Sequence, residues 1–286
     1  QSSEDLAKLR KNDAYINYTH ALVGLNGRRT NKLKEIGCTS SHLEAIRQAV
    51  YFNRTKSRYA LITEDDIQIP FDINYTAMVE SAPKDFGILQ LFNSNEESMQ
   101  STWGRYIKKI SNGKPALETD LWTPVRQKQP GSFWSTCAYL IDREVMRKTI
   151  DKYAFMKDGF INLKLIAGIK QPCRPKLTEC CVRVNGTFSY RFNDTGPCVW
   201  APKGFQADSF LYAITKTYVI SVPLITNGEG GNQSTFHQDH VENIHDTAFR
   251  CQRTYINDMI VGKVPLPSFA TRACSDTLPI GMELKV

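Results

Sequence analysis

The sequence predicts an α/β fold with a central, mostly parallel sheet. Three apolar runs have the length and composition of strands that are covered on both faces: residues 59–62, 85–92 and 131–141. Helical patterns alternate with these strands, as in α/β proteins. After the third run, Asp142 is expected to cap a helix that continues to about Tyr153.

Two further helix starts support this fold class. Ser41 and Glu44 have the spacing of a capping box, which predicts a helix over about residues 42–52. Residues 204–212 begin another helix, which is followed by a strand over residues 218–223.

Three segments lack this alternation. Residues 93–130 are polar and contain several Gly and Pro, so we expect a long surface loop with a short hairpin near Asn112-Gly113. Residues 155–204 hold four cysteines and four prolines, which predicts an irregular, disulfide-bound insertion. Residues 251–286 are expected to wrap the surface.

Composition excludes several classes of protein. The 286 residues carry a net charge of +7, with 36 Lys and Arg against 29 Asp and Glu. No dense basic block is present, so nucleic-acid binding is not expected. No apolar run has the length of a membrane span. The mild positive charge suits an anionic substrate such as a nucleotide sugar.

Six Asn-x-Ser/Thr sequons and eight cysteines favour the secretory pathway. The sequons are at Asn17, Asn53, Asn74, Asn185, Asn193 and Asn232. About three disulfides are expected among Cys173, Cys180, Cys181, Cys198, Cys251 and Cys274. Cys38 and Cys137 lie in apolar surroundings and are expected to be free buried thiols.

Three carboxylates end the first apolar run. Glu64, Asp65 and Asp66 follow the strand directly, and ligands of α/β sheets bind outside the carboxyl ends of the strands. Neighbouring carboxylates repel, and hard divalent cations prefer oxygen ligands. The acids therefore predict a metal and nucleotide-phosphate site. The alternative is a polar junction with solvated acids.

Two other candidate residues are predicted at helix starts. His42 would stand at the N-terminus of its helix, where backbone N–H groups attract anions, or would be only a polar first-turn residue. Asp208 in the first turn of its helix would be ionised and could act as a general base. Asp208 could equally be an N-cap.

The chain also contains a histidine cluster and a candidate sugar-stacking tryptophan. His237, His240 and His245 fall within nine residues, which indicates a metal or phosphate contact or, alternatively, a solvated loop. Trp134 could stack on the apolar face of a sugar or belong to the core.

Four motifs, in this order, resemble glycosyltransferase family 25, which includes bacterial lipopolysaccharide galactosyltransferases and animal procollagen galactosyltransferases. The motifs are Gly37-Cys38 with Ser41-His42, Thr63-Glu64-Asp65-Asp66, the strand Ala138 to Ile141, and Asp208 to Leu211 with Val222-Pro223. The resemblance covers roughly residues 18–225.

The resemblance implies a GT-A fold, a three-layer α/β sandwich with a mostly parallel sheet. One catalytic domain would comprise a nucleotide-binding half, about residues 1–130, and an acceptor half, about residues 131–250. The family transfers a sugar from a nucleotide sugar, usually with Mn²⁺ (or Mg²⁺). UDP-galactose is the first candidate donor, and a hydroxyl of a glycan or glycoprotein is the acceptor.

The resemblance also implies roles for the acids. Glu64 and Asp66 would play the part of an Asp-x-Asp motif, with Asp66 on the metal that bridges the diphosphate. The Glu64–Asp65 side would lie near the ribose. Asp208 would deprotonate the acceptor hydroxyl for inverting attack.

The remaining candidates complete the expected donor site. Ser41 and His42 would contact the donor nucleotide. His237 or His240 would add a late metal or phosphate contact, an assignment that follows from the general fold and not from a family motif.

The chain departs from the family in three places. The family's first strand contacts the nucleotide base and has no counterpart before the helix predicted at residues 3–11, so we expect it to be absent or to lie upstream. Thr63 replaces an apolar residue, and the insertion at residues 155–204 has no counterpart.

Two rival functions remain open. The first is a catalytically inactive, transferase-like carbohydrate-binding module of the secretory pathway. The second is a metal-dependent hydrolase that uses the histidine cluster. For the transferase, we expect the lumen of the Golgi or endoplasmic reticulum, with a possible tether upstream.

Overall fold

The computed structural model describes residues 30–52, 55–112, 118–125, 133–153, 181–184, 187–191, 198–200, 207–227 and 246–272. The helices are α1 (Thr30–Tyr51), α2 (Tyr75–Ser81), α3 (Glu96–Ser111), α4 (Arg143–Tyr153), α5 (Ala207–Ile214) and α6 (Asp246–Ile260). The strands are β1 (Tyr59–Thr63), β2 (Ile67–Gln68), β3 (Phe71–Ile73), β4 (Ile88–Gln90), β5 (Trp122–Pro124), β6 (Ala138–Asp142), β7 (Cys181–Val184), β8 (Thr187–Arg191), β9 (Cys198–Trp200), β10 (Thr217–Ile220), β11 (Thr226–Asn227) and β12 (Ala270–Arg272).

The chain forms two compact units. The first comprises residues 1–60, 126–131 and 142–216, and the second comprises residues 61–125, 132–141 and 217–286. The α/β class predicted from the sequence is confirmed at this level, since helices and a mixed sheet are both present. Within the described residues, no helix has the length and apolar character needed to cross a membrane.

The first unit is organised by helices. Helix α1 packs against α4 and α5, and α5 contacts β9 of the antiparallel sheet β7-β8-β9. Asp142 caps α4 as predicted, because its Oδ1 accepts hydrogen bonds from the backbone N–H of Glu144 at 2.9 Å and of Val145 at 3.2 Å. The other oxygen of Asp142 pairs with Arg58 at 2.7 Å.

The second unit contains a five-stranded sheet in the order β1-β6-β4-β10-β5. Strand β4 is parallel to β10 but antiparallel to β6, and β10 is antiparallel to β5. The sheet is therefore mixed, whereas the sequence predicted a mostly parallel one. Strand β1 lies at an edge and leaves Leu61 exposed, so the prediction that it is covered on both faces is wrong.

Helices α3 and α6 pack together in the second unit. The ring of Trp103 on α3 stacks on Tyr255 of α6, with centroids 4.6 Å apart. The predicted surface loop over residues 93–130 is wrong, because residues 96–111 form α3. Asn112 is the C-cap of this helix and not part of a hairpin.

The C-terminal region is more regular than the sequence predicted. Strand β12 pairs with β3 and β11 pairs with β2, both antiparallel, and α6 precedes β12. The predicted insertion at residues 155–204 contains β7 to β9. Its cysteine side chains lie outside the described part of the chain.

Three described cysteines form no disulfide: Cys38, Cys137 and Cys251. The prediction that Cys38 and Cys137 stay outside disulfides is confirmed, and both residues are half-buried. Cys251 was expected in a disulfide, and that expectation is wrong. It lies on α6 and its sulfur accepts a hydrogen bond from Gln100 on α3 at 3.6 Å.

Candidate functional site

The three acids lie where the sequence predicted, directly after β1. Glu64 follows the last residue of the strand, and Asp65 and Asp66 form the turn that leads into β2. We call these three residues the acid turn. Glu64 is half-buried, and the other two side chains are more exposed.

The acid turn lies at the edge of the sheet where three strands of the second unit end. The backbone N–H of Glu64 donates to the carbonyl of Cys137 at 2.7 Å, so the end of β1 meets the start of β6. The N–H of Leu91, directly after β4, donates to the carbonyl of Ala138 at 3.0 Å. Strand β10 is parallel to β4. The carboxyl ends of β1, β4 and β10 therefore lie on the same side of the sheet, and this carboxyl-terminal edge is where α/β sheets bind ligands.

Burial and mutual repulsion disturb the ionisation of the acid turn. The pKa of Asp66 is raised, first by partial burial and then by the charges of Glu64 and Asp65. A hydrogen bond from its own backbone N–H opposes this rise in pKa. A bound cation would remove the repulsion, because it favours all three ionised carboxylates.

Cys137 joins the acid turn to the start of β6. In addition to the backbone bond, its thiol donates to Oε2 of Glu64 at 3.5 Å. Burial, followed by the charge of Glu64, raises the pKa of this thiol well above its usual range. The thiol therefore stays protonated and keeps its role as donor at neutral pH.

A buried amide holds the loop that carries Cys137, which spans residues 133–137. Nε2 of Gln90 donates to the carbonyls of Phe92 at 2.8 Å and Trp134 at 3.0 Å, with a longer contact to that of Ser135 at 3.3 Å. Ser135 has a φ of 98°, a left-handed conformation that costs free energy for a residue other than glycine. Its Oγ accepts the N–H of Cys137 at 3.0 Å.

A small cavity opens at the same edge, lined by residues that follow β4 and β10 and by Gln252 of α6. The space in it that is open to the centre of a water molecule is about 10 Å³, which is about the minimum that holds one water. Nε2 of Gln252 donates to the carbonyl of Asn93 at 2.7 Å, which fixes the orientation of the amide. Oε1 of Gln252 has no hydrogen-bond partner in the described structure, and neither do Oγ1 of Thr226 and Oδ1 of Asn227.

The predicted helix start at Ser41 is wrong. Helix α1 begins at Thr30, so Ser41 and His42 lie in its interior and not at an N-terminus. The carboxylate of Glu44 accepts hydrogen bonds from Arg47, both at 2.7 Å, as ordinary neighbours on a helix. A single glycine such as Gly37 costs only about 1 kcal/mol and does not end a helix. His42 is buried, and the argument for anion binding at a helix N-terminus no longer applies to it.

Asp208 lies in the first turn of α5, as predicted. It is half-buried, and α5 packs against α1 in the first unit. The structure therefore groups the helices of Ser41, His42 and Asp208 in the first unit, and it places the acid turn in the second. His237, His240 and His245 lie outside the described residues. Trp134 is half-buried, and its role in stacking stays a prediction.

The acid turn suits a hard divalent cation by its donor chemistry, since carboxylate oxygens are the ligands that Mg²⁺ and Mn²⁺ prefer. Within the described ranges, no group of three or more His, Cys, Asp or Glu side chains is arranged to hold a metal ion. Mg²⁺ in proteins is commonly held by one or two carboxylates together with substrate phosphates. A cation at Glu64 and Asp66 would therefore be shared with a ligand.

Three residues of this site were not predicted as functional from the sequence: Gln90, Cys137 and Gln252. Gln90 carried a usable signal, because it is a polar residue inside an apolar run and therefore needs a buried partner. The contact between Cys137 and Glu64 joins residues 73 positions apart and has no local signal. Gln252 lies on α6, a helix that was not predicted from the sequence.

No protein-family model, no curated protein and no solved structure matches the chain. The resemblance to glycosyltransferase family 25 therefore rests on the sequence motifs alone.

Proposed function

We propose that the chain is a metal-dependent glycosyltransferase. It would move a sugar, with galactose as the first candidate, from a UDP-sugar to a hydroxyl of a glycan or glycoprotein, with inversion. The observation that supports this function is the acid turn at the edge where β1, β4 and β10 end. There, partial burial and then the charges of Glu64 and Asp65 raise the pKa of Asp66, and a cation shared with a diphosphate would favour its ionised form.

In this proposal, Glu64 and Asp66 hold Mn²⁺ or Mg²⁺ jointly with the diphosphate, and Asp65 lies on the side of the ribose. The cation would supply Lewis-acid stabilisation of the leaving diphosphate. Asp208 is the proposed general base. Ser41 and His42 lie inside α1, so a helix N-terminus no longer supports their contact with the donor nucleotide, and that contact stays a prediction. A contact from His237 or His240 stays a prediction.

Thermal unfolding with UDP-sugars tests the metal and donor site. With Mn²⁺ present, a UDP-sugar at a hundredfold its dissociation constant should stabilise the fold by about 2.7 kcal/mol, and EDTA should abolish the effect. Asp66→Asn should lose this stabilisation. Asp72→Asn, at an exposed acid on β3, is the matched control and should keep it. Equal stabilisation of wild type and Asp66→Asn would refute the assignment of the acid turn.

Transfer assays test the base. Asp208→Asn should leave Mn²⁺-dependent donor binding close to that of wild type while removing transfer to the acceptor. If Asp208→Asn transfers sugar at the wild-type rate, another residue is the base.

A carbohydrate-binding module without catalysis is the second candidate. Half-buried Trp134, on the loop beside the acid turn, is the candidate for stacking on the apolar face of a sugar, whether or not transfer follows. The two functions differ in one result. A binding module would bind sugars without Mn²⁺ and would release no UDP from any UDP-sugar.

The compartment of this proposed enzyme is the lumen of the Golgi or endoplasmic reticulum. Of the six sequons, Asn74 belongs to the described structure, where it is exposed and caps α2 by accepting the N–H of Ala77 at 3.1 Å. A mass shift on treatment of the secreted chain with an endoglycosidase tests this assignment. An unglycosylated chain from a secretory host would count against it.

A further inference from the structure

Cys137 makes two contacts with one residue of the acid turn. Its carbonyl accepts the backbone N–H of Glu64 at 2.7 Å, and its thiol donates to Oε2 of the same residue at 3.5 Å. The first contact fixes the backbone of Glu64 and the second fixes the rotation of its carboxylate.

Two residues hold the 133–137 loop that carries the thiol. Gln90, which is fully buried, donates to the carbonyls of Phe92 and Trp134. Ser135 adopts a positive φ of 98°, and its hydroxyl accepts the N–H of Cys137. Strained backbone persists only where the surrounding structure enforces it, and it concentrates at functional sites.

We propose that Cys137 is a positioning residue, whose thiol orients the carboxylate of Glu64 for cation binding. This inference rests on the proposed metal-dependent function. Partners that hold a metal ligand from behind commonly set its orientation, and their loss costs about ten- to a hundredfold in metal affinity. A thiol is a weak donor, so we expect the lower end of that range.

Infrared spectroscopy tests the contact without any assumption about function. The S–H stretching band of Cys137, assigned by its loss in Cys137→Ser, should lie at a lower frequency than that of an ordinary thiol. It should shift in Glu64→Gln, since an amide oxygen is a weaker acceptor than a carboxylate. A band that is unchanged in Glu64→Gln would overturn the contact and the proposal with it.

Titration with Mn²⁺ in the presence of UDP, followed by the electron paramagnetic resonance signal of free Mn²⁺, tests the consequence. Cys137→Ala should raise the dissociation constant about tenfold. Cys137→Ser keeps a donor at the same place and should restore most of the affinity. Cys251→Ala removes another free thiol of the second unit and should bind Mn²⁺ as wild type does.

The outcomes separate this inference from the function on which it rests. If wild type binds Mn²⁺, Asp66→Asn does not, and Cys137→Ala binds as tightly as wild type, then the metal site stands and the positioning role is overturned. Equal loss in Cys137→Ala and Cys137→Ser also overturns it, because a donor would then not suffice. If wild type binds no Mn²⁺, the proposed function fails at its metal, and the inference fails with it.

Discussion

Replacing Gln90 by leucine tests whether one buried amide organises the loop beside the acid turn. The side chain is fully buried, and its Nε2 lies 2.8 Å from the carbonyl oxygen of Phe92 and 3.0 Å from that of Trp134. The amide nitrogen has two hydrogens, so it satisfies two carbonyls at a time. Leucine has a similar size and no donor.

The expected loss follows from counting these groups. Each buried acceptor left without a donor costs about 1–3 kcal/mol. The carbonyl of Trp134 keeps a second donor, the N–H of Ser94 at 3.2 Å, which reduces its share. The substitution also removes Oε1 of Gln90, which has no partner among the described residues, and this offsets part of the cost. We expect Gln90→Leu to lower the free energy of unfolding by about 1–3 kcal/mol.

Gln90→Glu is the matched variant, with the same shape and the opposite hydrogen-bonding character. An ionised carboxylate would face carbonyl oxygens, so the folded state should hold it protonated and raise its pKa. A raised folded pKa means that stability is present at low pH and is lost as pH rises through that pKa. Between pH 5 and pH 8, Gln90→Glu should therefore lose more stability than wild type does.

Urea unfolding followed by tryptophan fluorescence measures both effects, because Trp103, Trp122 and Trp134 belong to the second unit. A shift of the midpoint at constant slope gives the change in stability. A midpoint for Gln90→Leu at or above that of wild type would contradict the expected loss. The carbonyls would then have other donors, and the loop would not depend on Gln90.

Four further predictions concern stability, each measured by thermal or urea unfolding. Gly104→Ala should stabilise α3 by about 0.5–1 kcal/mol, since nothing in the described structure lies within 4 Å of the added Cβ. Gly262→Ala should destabilise, because φ is +79° and the Cβ would lie 2.9 Å from an arginine nitrogen. Asp142→Ala should cost about 1 kcal/mol more than Asp142→Asn, which keeps the cap of α4. Burial and the hydrogen bond to Asp85 raise the pKa of Tyr218 from 10.0 to about 12. The stabilisation that Tyr218 contributes is therefore present below pH 10 and is lost as the pH rises towards 12. Tyr218→Phe should abolish this loss of stability at high pH.

Local signals predicted the parts of the fold that depend on neighbouring residues. The cap of α4 was predictable because Asp142 bonds to N–H groups two and three residues later. Helix α3 has equally local signals, with Asn95 as its cap and Met99, Trp103 and Tyr106 on its buried side. The polar composition of the segment predicted a loop, whereas the spacing of its buried residues matches the helix that is present.

Other features depend on pairings between distant residues. Strand β1 was predicted from its apolar run, but its exposure follows from its place at the edge of the sheet, which no local pattern specifies. The capping-box pattern at Ser41 and Glu44 was ambiguous, because the same glutamate can pair with Arg47 inside a longer helix. The position of the acids was predictable, whereas the thiol that holds Glu64 was not.

Three departures from ordinary folding rules occur at one edge of the sheet. Asp66 has a raised pKa beside two other acids, Ser135 has a positive φ, and Gln252 presents a buried oxygen without a donor in the described structure. Each one costs free energy, and none is needed to build the sheet. Local conflicts of this kind are expected where a protein binds a ligand, since the ligand supplies what the folded chain leaves unsatisfied. The cavity beside Gln252 has room for about one water molecule, which would satisfy its oxygen, whereas a cation shared with a diphosphate would answer the repulsion at Asp66. That match is the physical reason for placing the proposed donor site at this edge.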